Sequence, residues 1–188
     1  MWRIEAPPKI KFFIWLLLKG KILTAENLRR RGIIGPSKCP NCCKSEETMH
    51  HLFIECPVVV DCWGKMASIR NINWEPQRTI VETIYKWRKD CPWKEKRSSL
   101  GKRVWNALPR NLLWRIWLAR NHKVFQDKGS SIRKIYNKAK TLALEMISVN
   151  TTGKIEAANY STEKQNLISY ILENNPNAQE VLWGLVFI

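Results

Sequence analysis

Acidic side chains are what this chain has least of. Its 188 residues hold 32 lysines and arginines against 16 aspartates and glutamates, a formal net charge of +16. Aspartate is scarce: Asp61, Asp90 and Asp127 are widely separated and stand in no motif of the acidic residues that hold catalytic metal ions. Long apolar runs are missing too. The stretch Phe12 to Leu18, bracketed by Lys11 and Lys19, is too short to span a bilayer. It follows Pro7 and Pro8, and no small-residue cleavage site comes after it, which argues against a secretory signal and against a membrane partner. An intracellular setting is expected, with nucleus and cytoplasm both open. In that setting paired cysteines more often bind metal than form disulfides.

What is present is enough for a core. A hydrophobic content of 45% in a chain of this length suits one domain, or one domain and a small appendage. The positive charge is unevenly spread. Residues 1–38 carry nine basic side chains against two acidic, and residues 101–150 carry eleven against two. Between them, residues 39–62 carry one against four, a mildly acidic island that also holds five of the six cysteines. Such an excess of positive charge favours a polyanionic partner and salt-dependent binding, nucleic acid first and an anionic membrane surface second. The plainer alternative is a solvated basic face. No small-molecule substrate and no oligomeric state is indicated.

The pattern predicts a mainly α fold of short helices around a cysteine-rich motif. Ile10, Phe13, Trp15 and Leu17 suggest a buried helix over 8–19 that Gly20 ends. Thr24 can cap a second helix, with Glu26 in its first turn, Arg29, Arg30 and Arg31 in its last, and Gly32 as its stop. Residues 35–44 read as turns. Met49, Leu52, Phe53 and Ile54 suggest a short helix leading into Cys56, and after Pro57 another runs over 58–66 with Trp63 on its apolar side. Residues 68–102, with Trp74, Trp87 and Trp93, show no clean period and read as a partly helical connector. Pro109 suits the first turn of a helix carrying Leu112, Leu113, Ile116 and Trp117. Ser131 can cap the clearest amphipathic helix, with Ile132, Ile135, Tyr136, Ala139, Leu142, Ala143 and Met146 at three- and four-residue steps.

The spacing Cys39-x2-Cys42-x8-His51-x4-Cys56 supplies the four ligands of a closed tetrahedral zinc site. Three thiolates and an imidazole would fill every position and leave none for water, so the ion, one Zn2+, is expected to be structural. Cys43 beside Cys42, and His50 beside His51, allow a set shifted by one residue. Cys62 is expected to pack near Trp63 and Cys91 to be inert. Ordinary unligated thiols remain the alternative.

The run Pro7-Pro8-Lys9-Ile10-Lys11-Phe12-Phe13-Ile14-Trp15, then Leu23-Thr24, Arg30-Arg31-Gly32, CPNC and ETMHHLFIECP, resembles the zinc-binding domain that follows the reverse transcriptase in plant non-LTR (LINE-type) retrotransposons. The resemblance covers about residues 2–66 and selects Cys39, Cys42, His51 and Cys56, favouring His51 over His50. It departs at Cys43, where that family usually carries glycine or another small residue. A weaker likeness to the region downstream in the same polyproteins continues at Leu112-Leu113-Trp114-Arg115-Ile116-Trp117, Arg120-Asn121 and Val124-Phe125. These likenesses divide the chain into a zinc-binding domain over 1–66, a basic helical region over 67–150 and a divergent tail over 151–188. The polymerase and nucleases of such elements require acidic clusters that this sequence lacks, so no enzymatic activity is expected, and the opening Met1-Trp2-Arg3 reads as a piece cut from a longer element.

The resemblance implies a module that helps hold RNA or DNA without strong sequence preference. Candidate phosphate contacts are Lys9, Lys11, Arg29, Arg30, Arg31, Arg133, Lys134 and Lys138, and Trp15 and Phe53 are candidates for stacking on bases, though such aromatics more often belong to a core. Three alternatives stand beside this: a protein-docking zinc module, a thiol enzyme, and a relic without selected function. The thiol enzyme would need its Cys-x2-Cys pair in a strand-to-helix setting, and turns between helices do not provide one.

Overall fold

Pro8 opens the first helix, where its missing N–H costs nothing. The computed structural model describes residues 6–68, 71–91, 100–127, 129 and 131–152, with backbone alone at 100–101 and 144–152. Its elements are α1 (Pro8–Leu18), α2 (Ala25–Arg29), a wide turn over His51–Glu55, α3 (Pro57–Ala67), α4 (Ile80–Lys89), α5 (Leu100–Gln126) and α6 (Ile132–Thr152). Among the described residues the only β pairing is an isolated bridge between Lys38 and Glu46. The protein is mainly helical, as its sequence pattern predicts. Two compact units divide the chain, Met1–Ser148 and Val149–Ile188. Trp93 and the tail beyond Thr152 lie outside the described residues.

The α1 helix buries Ile10, Phe13, Ile14 and Leu17, which recur at three- and four-residue steps on one face. Trp15, expected inside, falls on the opposite face and is 37% exposed. Gly20 ends the element in the left-handed region, φ 66°, where a side chain would be strained. The Asn27 amide then donates to the carbonyls of Gly20 and Ile22 at 2.8 and 2.7 Å, tying that corner to α2. Thr24 caps α2 by accepting the Asn27 N–H, and the helix stops at Arg29, two residues earlier than three consecutive arginines suggest. Arg30 is its C-cap and Arg31 lies beyond it.

Against α1 pack the wide turn and α5. The Phe13 ring lies 6.1 Å from Phe53, 5.2 Å from Trp114 and 6.4 Å from Trp117, centroid to centroid. Leu52, Phe53 and Ile54 from the turn, and Leu112, Leu113 and Ile116 from α5, are completely buried. Residues from both ends of the compact unit thus share one core.

Residues 71–91 are more regular than their scattered tryptophans suggest. Thr79 accepts the Glu82 N–H at 3.1 Å and caps α4, and Trp74 stacks on Trp63 at 4.8 Å. The α5 helix begins at Leu100, so Pro109 sits inside it rather than in its first turn. A proline there leaves the carbonyl of Trp105, four residues back, without its helical donor. Trp87 supplies one: its indole N–H donates to the Trp105 carbonyl at 2.9 Å. The Trp105 indole in turn donates to the Trp87 carbonyl at 2.7 Å, near the end of α4 where carbonyls lack helical partners. The two rings stack at 4.3 Å. This reciprocal pair lets a helix continue through a proline.

Trp87→Phe should therefore cost about 1–3 kcal/mol in a urea melt, because a buried carbonyl loses its donor. Pro109→Ala restores a backbone N–H to that carbonyl, so the double variant should recover part of the loss. Strict additivity of the two changes would contradict the pairing.

Candidate metal centre

Four ligand atoms converge on one point. The spacing Cys39-x2-Cys42 is held by a small loop in which the Cys39 N–H donates to the Ser45 carbonyl at 2.8 Å and the Cys43 N–H to the Cys39 carbonyl at 2.8 Å. The opposite pair comes from the wide turn. On an α-helix, residues five apart are about 140° out of register, so His51 and Cys56 would face different ways. The chain instead widens by one residue: the Cys56 N–H donates to the His51 carbonyl at 2.7 Å, a π-type turn that brings positions five apart to one side. Thr48 caps the turn by accepting the His51 N–H at 3.0 Å, and the Trp63 indole satisfies the Phe53 carbonyl at 3.0 Å.

The result is a tight set. Sγ of Cys39, Cys42 and Cys56 and a ring nitrogen of His51 all lie within 4.8 Å of one another. Sγ of Cys39 and Cys56 are 3.9 Å apart, and Cys42 Sγ is 3.3 Å from His51 Nε2. A tetrahedral zinc ion with Zn–S near 2.3 Å and Zn–N near 2.05 Å requires edges of about 3.8 and 3.6 Å, so these two separations are close to those of such an ion. Cys39, His51 and Cys56 are buried and Cys42 is half-buried.

The two neighbours that could have shifted the ligand set lie outside the cluster. The Cys43 thiol points to the Pro40 carbonyl at 3.8 Å and is exposed, and the His50 ring lies 3.2 Å from the Glu55 carboxylate. Cys43 has φ 57°, a left-handed conformation in which glycine is unstrained. That explains why a small residue suits this position.

Electrostatics mark the cluster as built for a cation. Without one, Cys39 and Cys56 share a proton. Cys39 is held down at about 5, chiefly by the hydrogen bond from Cys56 and, against its burial, by the Cys42 and Asn41 amides. The same contact and burial push Cys56 upward. A divalent cation between the sulfurs removes the conflict, since both can then be thiolates.

Residues 1–63 match the family described as zinc-binding in reverse transcriptase. The match takes in all four ligand positions, and with the three-cysteine, one-histidine cluster it supports a single structural zinc in this zinc-binding segment. Over 127 residues, 68% of the chain, it is 23% identical to an Arabidopsis thaliana protein named for ribonuclease H. The chain spans a fifth of that relative's length. No solved structure matches it.

The sequence reading missed what braces the zinc-binding segment. Glu47, between the cysteine pair and His51, is 2% exposed, and its carboxylate receives Arg120 Nε at 2.6 Å and a second guanidinium N–H at 2.9 Å. It also accepts the Ala25 N–H at 3.0 Å, while Glu26 accepts the Met49 N–H at 3.2 Å. Arg120 is 6% exposed and lies over the Trp117 ring at 5.1 Å. One buried bidentate pair thus joins the zinc segment, the start of α2 and α5. A carboxylate needs a cation only where it is buried, and the burial of Glu47 is set by distant α5, so the local pattern held no signal for the pair.

Of the proposed phosphate contacts, Arg29, Arg30 and Arg31 are exposed at the end of α2, and Arg133, Lys134 and Lys138 are exposed on the first turns of α6. Lys9 and Lys11 are half-buried on α1. Arg30 pairs with Glu26 at 2.6 Å and Arg29 reaches Glu46 at 3.8 Å, exposed pairs that exchange readily for other anions. Phe53 is wholly buried and is a core residue, not a stacking platform. Ser131 caps α6 by accepting the Lys134 N–H at 3.3 Å, as expected.

Thiol chemistry can read this arrangement. Cys43 should react first with a thiol reagent in the native, metal-loaded protein, because it is the one exposed thiol of the six. Cys62, buried with its thiol pushed up to about 11, should stay silent until unfolding. Labelling of Cys62 ahead of Cys43 would contradict the fold around α3.

Proposed function

We propose that this chain is a zinc-stabilised nucleic-acid-binding module derived from a reverse-transcriptase polyprotein, without catalytic activity of its own. Cys39, Cys42, His51 and Cys56 hold the ion, whose contribution is to fasten the turn segment into the core. Four protein ligands leave no open position for substrate. With three thiolates the zinc centre carries a formal charge of about −1 in an already acidic segment, so it is a poor phosphate grip. RNA or DNA contacts fall instead to the basic residues around it. The observation that carries this reading is the charge separation: exposed Arg29, Arg30 and Arg31 at the end of α2, and Arg133, Lys134 and Lys138 on α6, lie in sequence on either side of the acidic segment that holds the closed metal site.

The test is affinity for short RNA and DNA across salt. Binding should weaken steeply as salt rises, and replacing Arg133, Lys134 and Lys138 with glutamine should lower the slope of log K against log salt by about 2–3. Affinity indifferent to salt would overturn the reading. One observation favours a second reading, a protein-docking module: Ile34 is 95% exposed, and Val81 and Tyr85 lie exposed one turn apart on α4. Binding to a protein partner with no affinity for nucleic acid would decide for it.

A further inference from the structure

We propose that the outer face of α1 is a stacking platform for single-stranded nucleic acid, centred on Trp15. This deepens, and rests on, the nucleic-acid reading above. Helices in a water-soluble unit normally turn charge outward, yet α1 is apolar on both faces. Its inner face buries Ile10, Phe13, Ile14 and Leu17. Its outer face presents Trp15 at 37% and Leu18 at 38% exposure, with the Phe12 ring 5.5 Å from Trp15 at an angle of 41°.

The surroundings select the occupant. Lys11 lies one turn before Trp15 and exposed Lys19 one turn after it, and α1 contains no acidic residue. One exposed aromatic ring, backed by half-buried Phe12 and set between lysines on a helix without carboxylates, matches the two recurring parts of single-strand recognition, a base-stacking ring and flanking cations that track the phosphates. A duplex hides its base faces and could use only the lysines. The platform therefore predicts a preference for single strands, which charge alone does not.

The experiment uses the full, zinc-loaded chain, a short mixed-sequence RNA, and the same RNA in a duplex. Trp15→Ala should weaken single-strand binding about tenfold, with duplex affinity and the single-strand salt slope unchanged. Trp15→Phe should keep most of the affinity, since it keeps a ring. Lys11→Gln with Lys19→Gln should instead lower the single-strand salt slope by about 1.4. Zinc content of each variant checks that the fold is retained. If Trp15→Ala leaves the single-strand to duplex ratio unchanged while both bind in a salt-dependent way, the platform is wrong and the broader reading stands. If the wild type binds neither, both fall. If Trp15→Ala changes the sedimentation of the free protein rather than its strand preference, the face is a contact between copies, and the platform is equally wrong.

Discussion

Chelation of the metal is expected to unfold much of the unit at room temperature. The reason lies in what the ligands hold. Leu52, Phe53 and Ile54 are completely buried, and they sit between His51 and Cys56 on a turn whose wide geometry no local propensity favours. With the ion bound, His51 and Cys56 are fixed to Cys39 and Cys42 across the loop, and the three apolar side chains are held against α1 and α5. Without it, the turn is free to relax, Phe13 loses its Phe53 neighbour, and Cys39 and Cys56 are left sharing a proton in a buried site. Structural zinc contributes on the order of 10 kcal/mol in small motifs. Whole domains are stable by only about 5–15 kcal/mol, so the loss is comparable to the total. Circular dichroism with a chelator at neutral pH should show reduced helix content and a thermal midpoint lower by tens of degrees, restored by adding zinc. An unchanged melting curve would mean that the core does not depend on the site.

The second large effect is expected at Glu47 and Arg120. Both are nearly fully buried, and their bidentate contact at 2.6 and 2.9 Å is the charged link between the zinc segment and α5. Removing one partner leaves the other charge buried and unpaired, which costs about 3–5 kcal/mol. Glu47→Ala should be the worse of the two, since it also deprives the Ala25 N–H of its acceptor at the start of α2. Arg120→Met keeps much of the volume and packing on Trp117 while removing the charge, so it isolates the electrostatic part. Denaturant melts of the two singles and the double should show strong coupling, with the double costing well under the sum. Additive losses would show that the contact is not the reason for either.

How much of this was legible from the residues differs by kind of information. The ligand set was legible, because four soft ligands at those intervals satisfy a tetrahedral ion and little else. Local start and stop signals were legible too: Thr24, Gly20, Gly32 and Ser131 act where their side chains or their φ angles let them act. What failed was everything set by distant partners. Pro109 looked like a helix start because the donor that rescues its vacated carbonyl, the Trp87 indole, is remote in sequence and unrelated to helix periodicity. Trp15 and Phe53 read alike, each a stacking candidate that more often belongs to a core, since an aromatic near the edge of an apolar stripe does not declare its face; the 3.6-residue period of α1 decides one and the π-type turn decides the other. The turn itself was read as an ordinary helix, although a ligand spacing of five residues was already incompatible with one helical face. The Glu47–Arg120 pair depends on contact across 73 positions, which no local pattern encodes.

The central claim, that Cys39, Cys42, His51 and Cys56 hold one structural zinc ion and their neighbours do not, is tested most directly by metal content per chain. Native mass spectrometry of the wild type, Cys43→Ser and Cys56→Ser should give one zinc, one zinc and none. An equal, full complement of zinc in Cys56→Ser, or loss of the ion in Cys43→Ser, would contradict it.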